Sequence, residues 1–430
     1  MKLARWHSLS MALSLGLALP SSLVACAPAK IASPTPNVHE SDANVTRDAP
    51  GFVRGDARFP FVGANVYYLN YVPRSDVLEV LDRATDMQLT VLRVWAFLDV
   101  GAFDGSVRHV HEEGAKRNVW FQAWDSERAA PIYNDGPDGL ERLDFVLSEA
   151  RRRGLTLILV LTNNWRDFGG VDQYLAWYGL ENHAAFFSDV RTRSAYRSWM
   201  EHVVGRINSI DGVPYREDPT IAAWELANEP RVSNLPLLPG MAPPSPAPLT
   251  SWAHEMSQHL RTLAPNQMIG VGDEGFFEGD ARPPYQLEGY GVDHAALTAL
   301  PAIDFATAHL YPEHWGWTWP DSDDFIRRQS RLAARLGKPL VLEEFGVLAK
   351  TGEAVRRARY SDWTSQLEQA HGGWLFWHLA AQVDGAPYPD FDGYTIRSDA
   401  PGGALLGELA ARARAPNATP ASTGFVRVGR

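Results

Sequence analysis

The sequence predicts a single α/β domain with the (β/α)₈, or TIM-barrel, fold. Between residues 59 and 379, eight short apolar runs alternate with segments of helical period, the order expected of a barrel built from repeated strand–helix units. Most of these runs lack strict polar and apolar alternation, as expected for parallel strands that are covered on both faces. A doubly wound open sheet is the alternative fold, but no G-x-G-x-x-G motif follows the first run to favour it.

The eight predicted strands share a core of aliphatic and aromatic residues. They lie at residues 59–68, 90–97, 155–163, 220–230, 268–275, 303–312, 339–346 and 372–379. The segments between them have helical period; at residues 139–154 the apolar positions form one face and Gly154 ends the helix. That apolar face consists of Leu140, Leu143, Leu147 and Ala150. The Pro-rich insertion at residues 236–248 follows the fourth strand, and we expect it to form a loop at the upper rim.

The N-terminus carries the features of an export signal. Lys2 and Arg5 precede an apolar stretch about half as long as the roughly 20 residues that a membrane-spanning helix needs. The sequence LVAC that follows resembles the lipobox of bacterial lipoproteins, and Cys26 is the only cysteine of the chain. We therefore expect a lipoprotein-type signal peptide at residues 1–25 and a lipid on Cys26, at a bacterial cell surface or in the periplasm. Ordinary secretion is the alternative.

The rest of the chain divides into a flexible tether at residues 26–50, the barrel domain at residues 51–415 and a flexible tail at residues 416–430. The tether is rich in Pro, Ser, Ala and Asn and has no apolar period. The chain has 45% hydrophobic residues and a formal net charge of −11, so we expect a soluble domain whose acidic surface repels nucleic acid and suits a neutral partner. We expect a monomer that meets a membrane only through its lipid.

Polar residues collect at the carboxyl ends of the predicted strands, where the loops of a (β/α)₈ barrel form one mouth. Glu229 ends the fourth strand and Glu344 lies at the end of the seventh. Such a pair suits glycoside hydrolysis, in which one carboxylic acid protonates the leaving oxygen and the other carboxylate attacks the anomeric carbon or activates a water. A separation of roughly 5 to 5.5 Å predicts retention of configuration, and roughly 6.5 to 9.5 Å predicts inversion. Because no metal-binding motif and no nucleophilic Ser or Cys motif occurs, we expect neither metal nor cofactor.

Six motifs in register resemble the endo-β-1,4-mannanase branch of glycoside hydrolase family 5. They are LRVWAF, LTNNWRDFGG, WELANEPR, HLYP, KPLVLEEFG and GGWLFWHL, and the resemblance spans residues 55–400. It implies a retaining barrel hydrolase without a cofactor, with Glu229 as acid/base and Glu344 as nucleophile. Neighbouring strand residues point to opposite faces, so we expect only one of Glu343 and Glu344 to face the lumen. The resemblance selects Glu344 and leaves Glu343 as a structural carboxylate.

The resemblance also implies roles for residues around the two carboxylates. Arg93 would keep Glu344 ionised, because a nearby cation lowers the pKa of a carboxylate, although Arg93 could instead form an ion pair at the foot of the barrel. Asn228 would hydrogen-bond the 2-hydroxyl of the cleaved sugar, a contact that strengthens in the transition state. We further expect Glu344 and partial burial to raise the pKa of Glu229, which predicts a bell-shaped pH profile.

Five aromatic and basic residues complete the site that the resemblance implies. His309 and Tyr311 would line the pocket of the cleaved sugar, with Tyr311 donating to the nucleophile, although His309 could be a core histidine. Trp377 would form the platform beneath that sugar, with core packing as the alternative. Trp165 and Arg231 match positions that contact neighbouring sugars. The Trp-rich segment at residues 313–320 could form either a cleft wall or a loop core.

The expected function is therefore hydrolysis of internal bonds in mannan, glucomannan or galactomannan. An exo-β-mannosidase or a β-1,4-glucanase would share the catalytic residues and differ only in the rim loops. A non-catalytic surface carbohydrate-binding protein built on the same barrel is the alternative from another class. Such a protein would have lost an essential carboxylate, and both carboxylates are present.

Overall fold

The computed structural model of the protein describes residues 43–48, 51–235, 242–278, 290–383, 386–389 and 392–415. The predicted signal peptide, Cys26, most of the tether, residues 236–241 of the Pro-rich insertion and the predicted tail lie outside these ranges. None of the helices within the described ranges combines the length and apolar character needed to cross a bilayer.

Eight parallel strands form one sheet that curls into a nearly closed barrel. They are Val62–Asn65, Val91–Trp95, Thr156–Val160, Ile221–Glu225, Met268–Gly270, Ala306–Leu310, Leu340–Phe345 and Gly373–Phe376. Each strand lies inside one of the predicted runs, so the predicted fold is confirmed. The first strand pairs with both the second and the eighth. Among the described residues no ladder joins the fifth strand to the sixth, but the His309 amide donates to the Glu274 carbonyl at 3.1 Å across this gap.

The helices cover the outside of the sheet with their apolar faces. They are Arg74–Asp86, Glu112–Arg117, Glu141–Arg152, Gly170–Trp177, Ala185–Ser188, Val190–Val204, Ala247–Leu263, His294–Ala299, Trp319–Leu336, Glu353–Gln369 and Pro401–Arg414. The four apolar residues predicted to form one face between residues 139 and 154 are all buried. Two short antiparallel hairpins lie in the loops, one of Gln122–Asp125 with Ala130–Tyr133 and one of Ala381–Val383 with Ala386–Tyr388.

The folded domain begins earlier in the chain than predicted. Val45–Asp48 lies in the predicted tether but pairs with Gly51–Arg54, which in turn pairs with Ala57–Arg58. Val45 and Phe52 are buried in an apolar cluster with residues from the amino-terminal ends of several barrel strands. Burying such a side chain stabilises a fold by roughly 1.5–3 kcal/mol. The tether prediction was wrong for these residues because a lone buried Val among polar neighbours leaves no apolar period to detect.

Candidate active site

A cleft of 450 Å³ opens at the carboxyl ends of the barrel strands, as the fold predicts. Its lining includes six residues that the sequence singled out, namely Trp165, Asn228, Glu229, Tyr311, Glu344 and Trp377. Arg93, His309 and Arg231 lie beneath this surface and are buried. The cleft therefore has a floor of carboxylates and aromatic rings that rests on three buried basic side chains.

Glu229 and Glu344 come together on the cleft floor although 115 positions separate them in the sequence. A carboxylate oxygen of one lies within 4.8 Å of a carboxylate oxygen of the other, and Nδ1 of His309 lies within the same distance of both. Inverting pairs stand roughly 6.5–9.5 Å apart and retaining pairs roughly 5–5.5 Å apart. This close approach favours the retaining geometry over the inverting one.

Glu344 accepts two short hydrogen bonds. Nη1 of Arg93 donates to its Oε1 at 2.6 Å, and the hydroxyl of Tyr311 donates to its Oε2 at 2.7 Å. Burial raises the pKa of Glu344, the charges of His309 and Arg93 lower it, and the charge of Glu229 raises it; the pKa lies above its ordinary value. The cations therefore offset only part of the desolvation of this carboxylate, while its two donors fix its orientation.

Arg93 organises the floor because its planar guanidinium donates in several directions at once. Besides Glu344, it binds Oε2 of Glu225 through Nε at 2.8 Å and Oδ1 of Asn228 through Nη2 at 2.9 Å. It also contacts Oδ1 of Asn65 at 3.2 Å. The alternative of an ion pair at the foot of the barrel is wrong, because Arg93 contacts the carboxylate that lines the cleft.

Glu229 lies four residues beyond the end of the fourth strand, Ile221–Glu225, and has an unusual backbone conformation. Its φ is +50°, a left-handed value that costs a non-glycine residue about 1 kcal/mol or more. The amide of Glu229 donates to the carbonyl of Gly272 at 2.8 Å, which fixes this turn. Its side chain then meets Nδ1 of His309 at 2.7 Å and accepts from Nε1 of Trp165 at 2.5 Å. Two donors thus hold the carboxylate in the cleft.

The pKa of Glu229 is lower than predicted. Burial raises it, but the hydrogen bond and charge of His309, followed by the charge of Arg231 and the Trp165 donor, lower it to about 2. Conversely, burial lowers the pKa of His309, while the charge of Glu344 and the bond to Glu229 raise it well above its ordinary value. The predicted direction for Glu229 was wrong because it counted burial and the charge of Glu344 but not the imidazolium. These opposite shifts favour His309 over Glu229 as the holder of the proton of this pair.

A β-bulge in the seventh strand brings both neighbouring glutamates inside the barrel. The ladder with the sixth strand skips Glu343, so that His309 pairs with Glu344 after the shift. Glu343 lies 3.6 Å from Nε of Arg93 and 3.6 Å from Nε2 of His309, the same two side chains that face Glu344. The prediction that only one of the two could face the interior was wrong, because a bulge interrupts strand alternation. Only Glu344 of the two lines the cleft.

Asn228 and Trp377 lie at the cleft surface with defined partners. The amide nitrogen of Asn228 donates to Oδ1 of Asn163 at 2.9 Å. The indole Nε1 of Trp377 donates to Oδ2 of Asp392 at 2.6 Å, and its ring stacks on Tyr67 with the centroids 5.0 Å apart and the planes at 4°. Trp377 is half-buried and exposed to the cleft, so it is more than a core residue.

Arg231 lies beneath the cleft instead of lining it, contrary to the expected sugar contact. It is 2% exposed and binds both carboxylate oxygens of Glu274, at 2.8 and 2.7 Å. Its guanidinium lies 5.0 Å from the ring of Trp165, which is 36% exposed. Arg231 therefore supports Trp165 from below, and Trp165 is the member of this pair that a sugar can reach.

Sequence reasoning gave no role to several residues of the cleft lining. Glu274 ends the predicted fifth strand, so its strand-end position was the signal available. Burial raises its pKa, the charge of Arg231 lowers it and that of Glu229 raises it, with a net value of about 7. Tyr67 and Asp392 lie in loops, and nothing in the local sequence marked them. In the Trp-rich segment, Trp315 is buried and lines the cleft, whereas Trp317 packs against it from behind.

Among the described residues, one group of side chains has ligand atoms close enough together to share a metal ion. It consists of Glu229, His309 and Glu344. All three already take part in short hydrogen bonds or ion pairs with one another, Arg93 and Tyr311. Their arrangement in the structure is that of a hydrogen-bonded charge network.

Comparisons with known proteins converge on one group. The sequence profile of GH family 5 beta-mannosidase-like proteins matches residues 43–366. A probable mannan endo-1,4-beta-mannosidase A-2 of Aspergillus terreus is 31% identical over 342 residues, which is 78% of this chain and 77% of that protein. The solved endo-1,4-beta-mannanase of Rhizomucor miehei has 32% identity and a TM-score of 0.74, over 86% of this chain and 99% of that one. The solved endo-beta-1,4-mannanase of Thermotoga petrophila has 33% identity and a TM-score of 0.70, over 83% of this chain and 77% of that one.

Proposed function

Because the chain belongs to glycoside hydrolase family 5, in its beta-mannosidase-like group, we propose that it is a retaining endo-β-1,4-mannanase. Its substrates are mannan, glucomannan or galactomannan, which it hydrolyses at internal β-1,4-mannosidic bonds by double displacement. The observation that carries this proposal is the approach of the Glu229 and Glu344 oxygens to within 4.8 Å of each other, the close spacing that a nucleophilic carboxylate requires.

The first displacement uses both carboxylates. Glu344, oriented by Arg93 and Tyr311, attacks the anomeric carbon as the bond from that carbon to the glycosidic oxygen breaks. Glu229 gives the departing oxygen a proton, which the pair of Glu229 and His309 holds across their 2.7 Å contact. The product is a mannosyl ester of Glu344 and a shortened chain with a free hydroxyl.

The second displacement returns the enzyme to its starting state. Glu229, now without a proton, accepts one from a water molecule whose oxygen attacks the anomeric carbon and releases Glu344. Two displacements at one carbon give retention of configuration. In each step Asn228, whose oxygen is fixed by Arg93 at 2.9 Å, is placed to bind the sugar 2-hydroxyl. Trp377 supports the cleaved sugar, and Trp165 supports a neighbouring one.

Products and anomeric configuration test this function. The wild-type protein is expected to cut mannohexaose internally and to release β-anomers first in proton NMR spectra, and to prefer mannan to carboxymethylcellulose and xylan. Glu344→Ala and Glu229→Ala should lose nearly all activity, whereas Glu217→Ala, a control at a side chain 61% exposed, should retain it. Release of mannose alone would indicate an exo-β-mannosidase. Preference for carboxymethylcellulose would indicate a glucanase. Equal activity of wild type and Glu344→Ala would refute catalysis by these carboxylates.

We also propose that the protein is exported as a lipoprotein. The support is the sequence alone, in which a charged start and an apolar stretch precede LVAC and Cys26. Wild-type protein made in a bacterial host should incorporate labelled palmitate and fractionate with membranes. Cys26→Ser should lose both properties and keep its kcat/KM on mannohexaose. A secreted wild-type protein without label would favour an ordinary signal peptide instead.

A further inference from the structure

Trp377 is held on two sides by residues that the catalytic account does not use. Tyr67 covers one face of its indole in a nearly parallel stack. Asp392 accepts the hydrogen bond of Nε1, the single polar donor of the ring, at 2.6 Å. A bond to an ionised acceptor is shorter and roughly twice as strong as a neutral one. The stack fixes the plane of the ring, and the hydrogen bond fixes its rotation within that plane.

Asp392 is itself held by the loop that contains it. Its Oδ1 accepts from the backbone amide of Tyr394 at 2.8 Å. The carbonyl of Gly393 accepts from the amide of Ala349 at 2.9 Å, so the loop is bound to the segment that follows the seventh strand. A carboxylate fixed in this way can impose an orientation on its partner.

The same loop reaches the nucleophile. The ring of Tyr394 is buried, and its centroid lies 5.1 Å from that of Tyr311. A Cβ at Gly346 would lie 2.5 Å from Cδ1 of Tyr394, so this ring packs directly on the backbone two residues beyond Glu344. The segment of residues 392–394 therefore contacts both the sugar platform and the group that holds the nucleophile.

We propose that Asp392 is a positioning residue of the cleaved-sugar site, acting through the Trp377 indole. It holds the platform at the angle from which the sugar presents its anomeric carbon to Glu344. This inference rests on the proposed mannanase function. Because Asp392 also lines the cleft, direct contact with a sugar is the rival explanation, and the test must separate the two.

A double-mutant cycle separates them. Asp392→Ala should lower kcat/KM on mannohexaose about tenfold or more, the loss typical of a charge-assisted hydrogen bond. Trp377→Phe removes the same bond from the other side and keeps an aromatic ring, and it should also lower kcat/KM. In the Trp377→Phe background, Asp392→Ala should then change kcat/KM by less than about twofold. If Asp392 binds sugar directly, the full loss persists in that background and the proposal is overturned.

Controls keep a structural fault apart from a positioning role. Asp399→Ala, at an aspartate in the same region that is 54% exposed and paired with Arg397, should leave kcat/KM unchanged. The concentration of active sites is measured from the initial burst of product, and rates are divided by this concentration. A variant that is partly unfolded is then not mistaken for one with a lower kcat. The expected loss falls on kcat, and Asp392→Asn, which retains an acceptor oxygen, should recover part of it.

The remaining outcomes are decisive in different ways. Full activity of Trp377→Phe would overturn the proposal even if Asp392→Ala failed to fold. Equal kcat/KM for Asp392→Ala and Asp399→Ala would overturn it while leaving the mannanase function intact. A wild-type protein that does not cleave mannohexaose would instead refute the function on which the proposal rests.

Discussion

Replacing Tyr311 by Phe would remove one of the two short hydrogen bonds that hold Glu344, at 2.7 Å, while keeping the ring and its contact with Tyr394. A hydrogen bond to a charged group contributes about 1.5–3 kcal/mol, and each 1.4 kcal/mol corresponds to a factor of ten. If this bond forms fully in the transition state, kcat/KM should therefore fall about 10- to 100-fold.

The same substitution should shift the acidic limb of the pH profile. The Tyr311 hydroxyl lowers the pKa of Glu344 by donating to its ionised form. Without this donor the pKa of Glu344 rises, and the carboxylate becomes protonated, and inactive as a nucleophile, at a higher pH. The acidic limb of kcat/KM should therefore move to higher pH.

Initial rates on mannohexaose across the acidic and neutral range measure both effects. Tyr215→Phe is the matched control, because Tyr215 is fully buried, donates to Oδ1 of Asp144 at 2.6 Å and does not line the cleft. It should lower the unfolding temperature and leave the acidic limb in place. An acidic limb that is the same in Tyr311→Phe and wild type, with kcat/KM within about twofold, would refute this reasoning.

Three further substitutions test the acid/base pair, the packing behind the nucleophile and a buried carboxylate outside the cleft. His309→Gln should move the alkaline limb of kcat/KM to lower pH, because the Glu229 carboxyl would then have to hold the catalytic proton without the imidazole. An alkaline limb at the same pH as in wild type would show that His309 does not share this proton. Gly346→Ala should destabilise the protein by about 1–3 kcal/mol in chemical denaturation, since its Cβ would overlap Tyr394, whereas Gly136→Ala, with nothing nearer than 3.4 Å, should not. Burial raises the pKa of Asp144, but bonds from Arg206 and two hydroxyls lower it overall. The stability that the Asp144 carboxylate contributes is therefore fully present above its pKa in the unfolded chain. This contribution is lost as the pH falls through the lower pKa that Asp144 has in the folded protein. Asp144→Asn should cost about 2–3 kcal/mol near neutral pH, and less below the ordinary carboxyl pKa; a constant difference across this range would contradict that assignment.

The barrel and its two glutamates could be predicted because each left a strong local pattern. The eight apolar runs coincide with the eight strands, and the motifs at their ends identify Glu229 and Glu344. In contrast, Val45–Asp48 is held by one buried Val, and the segment that contains Asp392 is held by one backbone bond, from Ala349 to Gly393. Contacts of this kind depend on tertiary neighbours, so the sequence contains no period or spacing that would reveal them.

Two of the errors at the site, those for Glu343 and Arg231, have a common physical cause. The alternation argument for Glu343 assumed a regular strand, and the bulge removes that assumption. The expected sugar contact of Arg231 came from the resemblance to the family, but Glu274, which follows the fifth strand, binds its guanidinium beneath the cleft. In both cases a partner on or beyond a neighbouring strand decided the orientation, and one strand read alone does not identify that partner.

In the proposed mechanism, the position of His309 explains how the pair of Glu229 and His309 can give one proton to the leaving oxygen in the first displacement and take another from water in the second. Its Nδ1 lies 2.7 Å from Glu229 and 3.5 Å from Glu344, and the charge of Glu344 helps to raise its pKa. When Glu344 forms an ester with the sugar, that charge disappears, so the affinity of the pair of Glu229 and His309 for its proton falls as the leaving oxygen needs it. Hydrolysis of the ester restores the charge, and with it the affinity that draws a proton from the attacking water. In this mechanism Glu344 controls the acidity of Glu229 through the imidazole of His309. The charge of Glu344 and the proton held by Glu229 and His309 must therefore change together.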